Sequence, residues 1–244
     1  MKRAAILAGG LATRLRSVVS DKPKCLVEIQ GRPFIDYQFA YLRRHGIREV
    51  VMLVGHLGDQ IEDYLGDGKR QDMAVAYAWE DAPLGTAGAL QNAKDHLDAP
   101  FVLLNGDTIF DLDLGAFMAF HQDQGKPIGS IALCAMEDIS DYGSVTIDDG
   151  NTVTAFREKR ADHEPGLVNA GVYCFESAMI DRIPECQRYS TETDLLPGCV
   201  EAGVRLAGYP FRGSFVDIGT PDRLDLAQGH FLFQQHPPEE DSDS

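Results

Sequence analysis

The segment Lys2-Arg-Ala-Ala-Ile-Leu-Ala-Gly-Gly-Leu-Ala-Thr-Arg-Leu15 decides how the chain is read. An apolar run, Ala4 to Ala8, leads directly into Gly9-Gly10, with Arg14 just beyond. The run predicts a buried parallel strand. The glycines let the backbone approach something large. N–H groups at such a turn, followed by an arginine, form a cradle for phosphate. Lys22 and Lys24 add positive charge shortly afterwards. A nucleoside triphosphate is the ligand these features predict.

Strand and helix alternate through the first half. Arg48 to Val54 is an apolar, β-branched strand. Pro33 to His45 reads as a buried helix closed by Gly46. A short helix over Asp59 to Leu65, a strand over Met73 to Trp79, a helix from Gly85 to Lys94 and a strand over Phe101 to Asn105 follow. Repeated βα units imply a parallel sheet with helices on both faces and a site beyond the strands' C-terminal ends. Gly9-Gly10 and Asn105-Gly106-Asp107 each directly follow a strand, as that rule requires.

The second half differs. Ile128 to Met136, Gly143 to Ile147, Val153 to Arg157 and Leu167 to Phe175 read as strands joined by short turns. Helices are expected near Ala178 to Ile183 and Glu192 to Glu201, then strands over Val204 to Tyr209 and Ser214 to Ile218. Thr220-Pro221-Asp222 opens a last helix, with Thr220 as its cap. No linker or repeat interrupts the chain. One domain over residues 1–235 is expected, with a nucleotide half to about 125 and a half from about 126 that adds β structure over the same cleft. An acidic tail at 236–244 is expected to be disordered.

Among 244 residues, 44% are hydrophobic, enough for a substantial core, and the net charge of −16 argues against general nucleic-acid binding. No apolar run is long enough to span a bilayer. The apolar part of the N-terminus is too short for a signal peptide and runs into glycines rather than a cleavage site. A cytoplasmic protein is expected. Cys25, Cys134, Cys174, Cys186 and Cys199 form no Cys-x-x-Cys pair and read as scattered reduced thiols.

Five features carry chemistry. Asp107 ends an apolar strand behind Gly106, placed either to hold Mg²⁺ or to cap a turn. Asp217 stands between Val216 and Ile218, where a charge needs a metal or a buried salt bridge. Two such aspartates, remote in sequence and both near strand ends, favour a shared metal. Glu158-Lys159 can hold a sugar hydroxyl and a phosphate, or form a solvated turn. Asn169 can bind a sugar hydroxyl or be satisfied internally. Pro83-Leu-Gly-Thr-Ala-Gly88 lets a base or ribose lie against backbone, and Glu80 just upstream can accept the N1–H and amino hydrogens of guanine. No Ser-His-Asp set supports covalent catalysis.

In order along the chain, Gly9-Gly-Leu-Ala-Thr-Arg-Leu15, Pro23-Lys-Cys25, Leu84-Gly-Thr-Ala-Gly88, Asn105-Gly-Asp107, Glu158-Lys159, Asn169-Ala-Gly171 and Asp217-Ile-Gly-Thr-Pro221 resemble the motifs of the sugar-1-phosphate nucleotidyltransferases. The resemblance covers about Lys2 to Phe233. Within that family the stretches 13–24, 142–146 and 215–221 are most similar to the D-glycero-D-manno-heptose 1-phosphate guanylyltransferases. Mannose-1-phosphate guanylyltransferases and N-acetylmuramate-1-phosphate uridylyltransferases are neighbours. Ala12 replaces a loop glycine, narrowing the approach to the triphosphate, and Cys25 replaces a proline, loosening the loop.

The resemblance implies a Rossmann-like three-layer α/β sandwich with a mixed, mostly parallel sheet. It implies that a sugar 1-phosphate and an NTP, GTP foremost, give a nucleotide-sugar and pyrophosphate. Arg14 and Lys24 would be catalytic. Leu7, Ala8, Gly9, Gly10, Glu80, Gly85, Thr86 and Asp107 would hold the nucleotide. Gly143, Glu158, Lys159 and Asn169 would hold the sugar phosphate, and Asp107 and Asp217 would hold Mg²⁺. A homodimer is compatible with it. Two other classes stay in view: a non-catalytic nucleotide-sugar sensor, and a Rossmann dehydrogenase, against which the missing Gly-x-Gly-x-x-Gly counts.

Overall fold

The computed structural model describes residues 1–10, 21–157 and 163–230. The expectations for Ala12, Arg14, Glu158, Lys159 and the tail at 236–244 fall outside the described residues.

Strand β1 (Arg3–Leu7) is followed by a small hairpin, β2 (Glu28–Ile29) and β3 (Arg32–Pro33), and by helix α1 (Phe34–Arg44). Then come β4 (Glu49–Val54), α2 (Gly58–Leu65), β5 (Ala74–Trp79), α3 (Gly85–Asn92) and β6 (Phe101–Asn105). The chain continues through β7 (Thr108–Phe110), α4 (Leu114–Asp123), β8 (Gly129–Met136), β9 (Ser144–Ile147), β10 (Val153–Arg157) and β11 (Gly166–Phe175). It ends with α5 (Leu196–Glu201), β12 (Leu206–Phe211), β13 (Phe215–Asp217) and α6 (Pro221–Gln228).

The strand period of two sorts the apolar residues into two cores. Ala4, Ile6, Val50, Met52, Val102 and Leu104 face Ile35 and Phe39 of α1, Ile61 of α2 and Phe117 of α4. Ala5, Val51, Leu53, Phe101 and Leu103 face Ala87 and Leu90 of α3 and Leu196 and Cys199 of α5. Helices therefore cover both faces of one sheet, which is the expected three-layer sandwich. Strands β6, β1, β4 and β5 run parallel in that spatial order. Strand β11 then adds antiparallel to β6 and carries the sheet on to β8 and β9. Among the described residues no helix is long and apolar enough to cross a membrane.

Several local expectations change. Residues 177–182 form a 3₁₀ helix, and the helix expected from Glu192 begins instead as a π-helical turn, Thr191–Leu195. The π-type bonds run from Leu195 N–H to the Ser190 carbonyl, 2.9 Å, and from Leu196 N–H to the Thr191 carbonyl. Helix α4, capped by the Asp113 side chain accepting from Ala116 N–H at 2.9 Å, and strand β7 have no counterpart in the sequence reading.

A third, smaller core positions the acidic residues. Val27, Ile29, Phe34, Tyr37, Ile109, Ile218 and Leu224 pack together under a two-stranded ribbon of β7 and β13. In that ribbon Asp217 pairs with Thr108, and Ile218 N–H donates to the Asp107 carbonyl at 2.9 Å. The ribbon brings two aspartates 110 positions apart in the chain (217 − 107) to the same end of the sheet.

Candidate active site

Beyond the C-terminal ends of β1 and β6 lies a cavity of about 450 Å³. Leu7, Ala8, Gly9, Gly10, Lys24, Glu80, Gly85, Thr86 and Asp107 all line it. Every described residue expected to meet the nucleotide is thus at one opening. A second cavity, about 250 Å³, is lined by Asn169, Tyr142, Phe215, Asp217 and Arg223. Asn105 and Asp107 belong to both walls, so Asp107 stands where the two spaces meet. Gly143, expected on the sugar side, follows Tyr142 in the chain but does not line the second cavity.

The glycine after β1 leaves room for the Glu80 side chain. A Cβ at Gly9 would lie 2.9 Å from Glu80 Oε1, and one at Gly55 would lie 2.8 Å from the same oxygen. Glu80 Oε2 accepts from Leu84 N–H at 3.2 Å. Burial pushes the Glu80 carboxyl above the ordinary glutamate value, and the Leu84 hydrogen bond opposes that shift.

Gly85 begins α3 with φ +75°, a left-handed value that favours glycine. A Cβ there would stand 2.7 Å from the Tyr189 carbonyl oxygen. That oxygen accepts from Ala87 and Gly88 N–H at 2.9 and 3.0 Å, which fixes the start of the helix. The Thr86 hydroxyl is already committed. It accepts from Thr191 N–H at 2.7 Å and donates to Glu192 Oε2 at 3.0 Å.

Lys24 sits on a 3₁₀ turn, Lys24–Leu26, closed by Leu26 N–H to Pro23 O and Val27 N–H to Lys24 O, both 3.0 Å. Cys25 is buried in this turn, so its thiol is pushed up to about 12 and behaves as a small apolar group. The turn is bonded and packed with a cysteine at this position.

Lys24 Nζ donates to Asp107 Oδ2 at 2.9 Å. Asp217 Oδ1 accepts from Gly219 N–H at 3.0 Å, and Asp217 Oδ2 is ion-paired with Arg223. A Cβ at Gly219 would lie 2.9 Å from Asp217 Oδ1, 3.9 Å from Asp107 Oδ2 and 3.9 Å from Lys24 Nζ. The two carboxylates converge on one locus, on the same face of the molecule. Both carry cationic partners, and among the described residues no cluster of three or more acidic, His or Cys side chains surrounds them.

Arg188, Glu192 and Arg223 line the two cavities and were missed by sequence reasoning, and of these Arg223 pairs with Asp217. Arg223 lies in the first turn of α6, where the Thr220 side chain accepts from Arg223 N–H at 3.4 Å. Its guanidinium lies 5.3 Å from the centre of the Tyr142 ring. The usable signal is the Thr220-Pro221 helix start, because a residue in the first turn looks back toward the strand that precedes it.

Residues 3–231 match the family described as nucleotidyl transferase. The chain belongs to that family. The sugar-1-phosphate nucleotidyltransferase membership expected from the ordered motifs holds. A D-glycero-alpha-D-manno-heptose 1-phosphate guanylyltransferase of Aneurinibacillus thermoaerophilus is 35% identical over 226 residues, covering 92% of this chain and 96% of that one. A UTP–glucose-1-phosphate uridylyltransferase of Synechocystis sp. is 33% identical over 243 residues, or 93% of this chain, which spans only 63% of that relative's length. The crystal structure of HddC from Yersinia pseudotuberculosis, complexed with GMP-PN, superposes with a TM-score of 0.82 at 31% identity. It covers 93% of this chain and 98% of that one.

Proposed function

We propose that this protein transfers a guanylyl group from GTP to a heptose 1-phosphate, releasing pyrophosphate. The observation that carries the reading is Asp107 in the wall common to both cavities, facing Asp217 and held by Lys24. A site with two joined compartments suits a reaction that joins two phosphorylated substrates. The guanine assignment rests on Glu80, whose carboxylate lines the first cavity, and on the likeness to a protein crystallised with GMP-PN. The heptose assignment rests on the relative named for that sugar.

The convergence of two carboxylates near Gly219 supports a hard divalent cation, which would compete there with Lys24 and Arg223 for the carboxylate oxygens. Two carboxylates offer oxygen ligands, and with so few protein ligands Mg²⁺ would complete its shell with water and phosphate oxygens. Asp107 and Asp217 would hold it, and when bound it neutralises phosphate charge.

The chain's own groups position the reaction. Lys24 neutralises charge beside Asp107, where the α-phosphate of a nucleotide in the first cavity meets the second. An oxygen of the sugar phosphate attacks the α-phosphorus in line, and the bond to pyrophosphate breaks. No general base is required, because a phosphate monoester is ionised at neutral pH. Asn169 meets the sugar, and Tyr142 and Phe215, 5.6 Å apart edge to face, wall its compartment. Arg14, Glu158 and Lys159 keep the roles that the family resemblance implies.

Pyrophosphate release measured over a matrix of GTP, UTP, CTP and dTTP against heptose, mannose, glucose and N-acetylmuramate 1-phosphates tests the reading. The highest kcat/KM is expected for GTP with heptose 1-phosphate. A maximum at another pair reassigns the substrate, and no release with any pair rejects the activity.

A further inference from the structure

Strand β11 crosses from the nucleotide half of the sheet to the sugar half. Its register against β8 breaks between Asn169, opposite Leu133, and Tyr173, opposite Ile131. Four steps along β11 thus match two along β8, an enlarged bulge. Gly171 sits in it with φ +73°, and a Cβ there would lie 2.5 Å from Asn105 Nδ2. The bulge turns two side chains of one strand toward each other, so that Asn169 Nδ2 donates to the Tyr173 hydroxyl at 2.9 Å. Asn169 Oδ1 accepts from Gly171 N–H at 3.0 Å.

Tyr173 is fully buried, its ring stacked on Phe175 with centroids 5.3 Å apart. Its hydroxyl donates onward to Glu192 Oε1 at 3.4 Å. The other oxygen of Glu192 accepts from Thr86 and Ser190 hydroxyls, both at 3.0 Å. Thr86 and Glu192 line the nucleotide cavity, Asn169 lines the sugar cavity, and Tyr173 lines neither. Every donor in the series points toward the Glu192 carboxylate. The orientation of the Asn169 amide follows, because flipping it would set its NH₂ against the Gly171 N–H. One N–H and one oxygen lone pair of Asn169 remain for a ligand.

We propose that Tyr173 and Glu192 are positioning residues that hold Asn169 for the sugar hydroxyls by a hydrogen-bond relay anchored at Thr86 on the nucleotide side. The proposal rests on the reading of the second cavity as the sugar compartment. Its consequence is that the quality of the sugar site depends on residues buried behind it and on a hydroxyl of the nucleotide loop. Burial also keeps the Tyr173 hydroxyl protonated far above neutral pH, so it remains a donor to Glu192 throughout the working range.

The test is the kinetics of Tyr173→Phe, which keeps the ring and removes only the hydroxyl. KM for the sugar 1-phosphate is expected to rise about 10-fold, the worth of one polar contact. KM for GTP and kcat at saturating sugar are expected to stay within about twofold. Thr86→Val combined with Tyr173→Phe should cost less than the sum of the single changes in log KM for the sugar. An unchanged sugar KM, or equal rises in both KM values, would overturn the relay. If Tyr173→Phe does not fold, Glu192→Gln, which also lines the nucleotide cavity, must raise the KM for the sugar 1-phosphate by more than that for GTP, and the absence of that excess is equally decisive. A wild-type protein inactive on every sugar 1-phosphate would refute the function but not the relay. The Asn169 side-chain amide resonances then decide: a downfield N–H lost in Tyr173→Phe supports it, and an unchanged pair contradicts it.

Discussion

Lys24 Nζ lies 2.9 Å from Asp107 Oδ2, with the lysine side chain 20% and the aspartate side chain 27% exposed. The contact joins a turn after the first glycine loop to the end of β6, and it sits in the wall between two compartments. In the proposed reaction the pair would place a cation where phosphate charge accumulates. Lys24→Met removes that cation and leaves Asp107 uncompensated in a partly buried position. Turnover is expected to fall about 100-fold or more, the usual cost of losing a preorganised charge contact. Steady-state kinetics beside a thermal melt check this, and near-normal kcat would remove Lys24 from the machinery.

Asp107 and Asp217 approach one locus near Gly219. A shared divalent ion requires both. Mn²⁺ titration followed by EPR in the presence of GTP is expected to show one tight ion per wild-type chain. Asp107→Asn and Asp217→Asn should each weaken it at least about 10-fold. Undiminished binding in either variant would take that residue out of the metal site.

Glu80 gives a pH-dependent test. Burial raises its folded-state pKa above the unfolded value. Between the two values the folded chain binds a proton that the unfolded chain does not. The stability linked to that proton is present at low pH and is lost as pH rises through the folded pKa. Glu80→Gln, which cannot ionise, is therefore expected to raise the melting temperature of the ligand-free protein at pH 7. Little difference is expected near pH 4, and an equal shift at both pH values would contradict the account. The same variant should lose preference for GTP over the other triphosphates.

Gly171 carries a left-handed φ and faces the Asn105 side chain within a Cβ's reach. Gly171→Ala is expected to destabilise the fold by at least about 1 kcal/mol, because alanine strains that backbone and crowds Asn105. A lowered melting temperature with a raised sugar KM is the expected result. An unchanged melt would show that the bulge tolerates a side chain.

The parallel core was legible because β1, β4 and β6 are dense apolar runs ending in glycine or Asn-Gly. The convergence of Asp107 and Asp217 was legible for a related reason: each is a charge set at the end of such a run. The contacts between them were not. Strand β7 is only three residues long, too short to show a period, so the ribbon that aligns Asp217 with Thr108 left no trace in the pattern. Arg223 reads as an ordinary helix surface residue until α6 is placed. Tyr173 reads as core within Val172-Tyr-Cys-Phe175, and only the bulge at Gly171 gives its hydroxyl a partner. Thr86 lines the nucleotide cavity, but the partners of its hydroxyl, Thr191 N–H 105 positions away and the Glu192 carboxylate, are contacts that no local pattern encodes.

The most direct measurement is ³¹P NMR of GTP incubated with the wild-type protein, with and without heptose 1-phosphate. With both substrates, the two diphosphate resonances of a nucleotide-sugar are expected to appear together with an equimolar amount of pyrophosphate, and GTP alone should remain intact. Hydrolysis of GTP without the sugar phosphate, or persistence of both substrates when they are combined, would contradict a site built to join them.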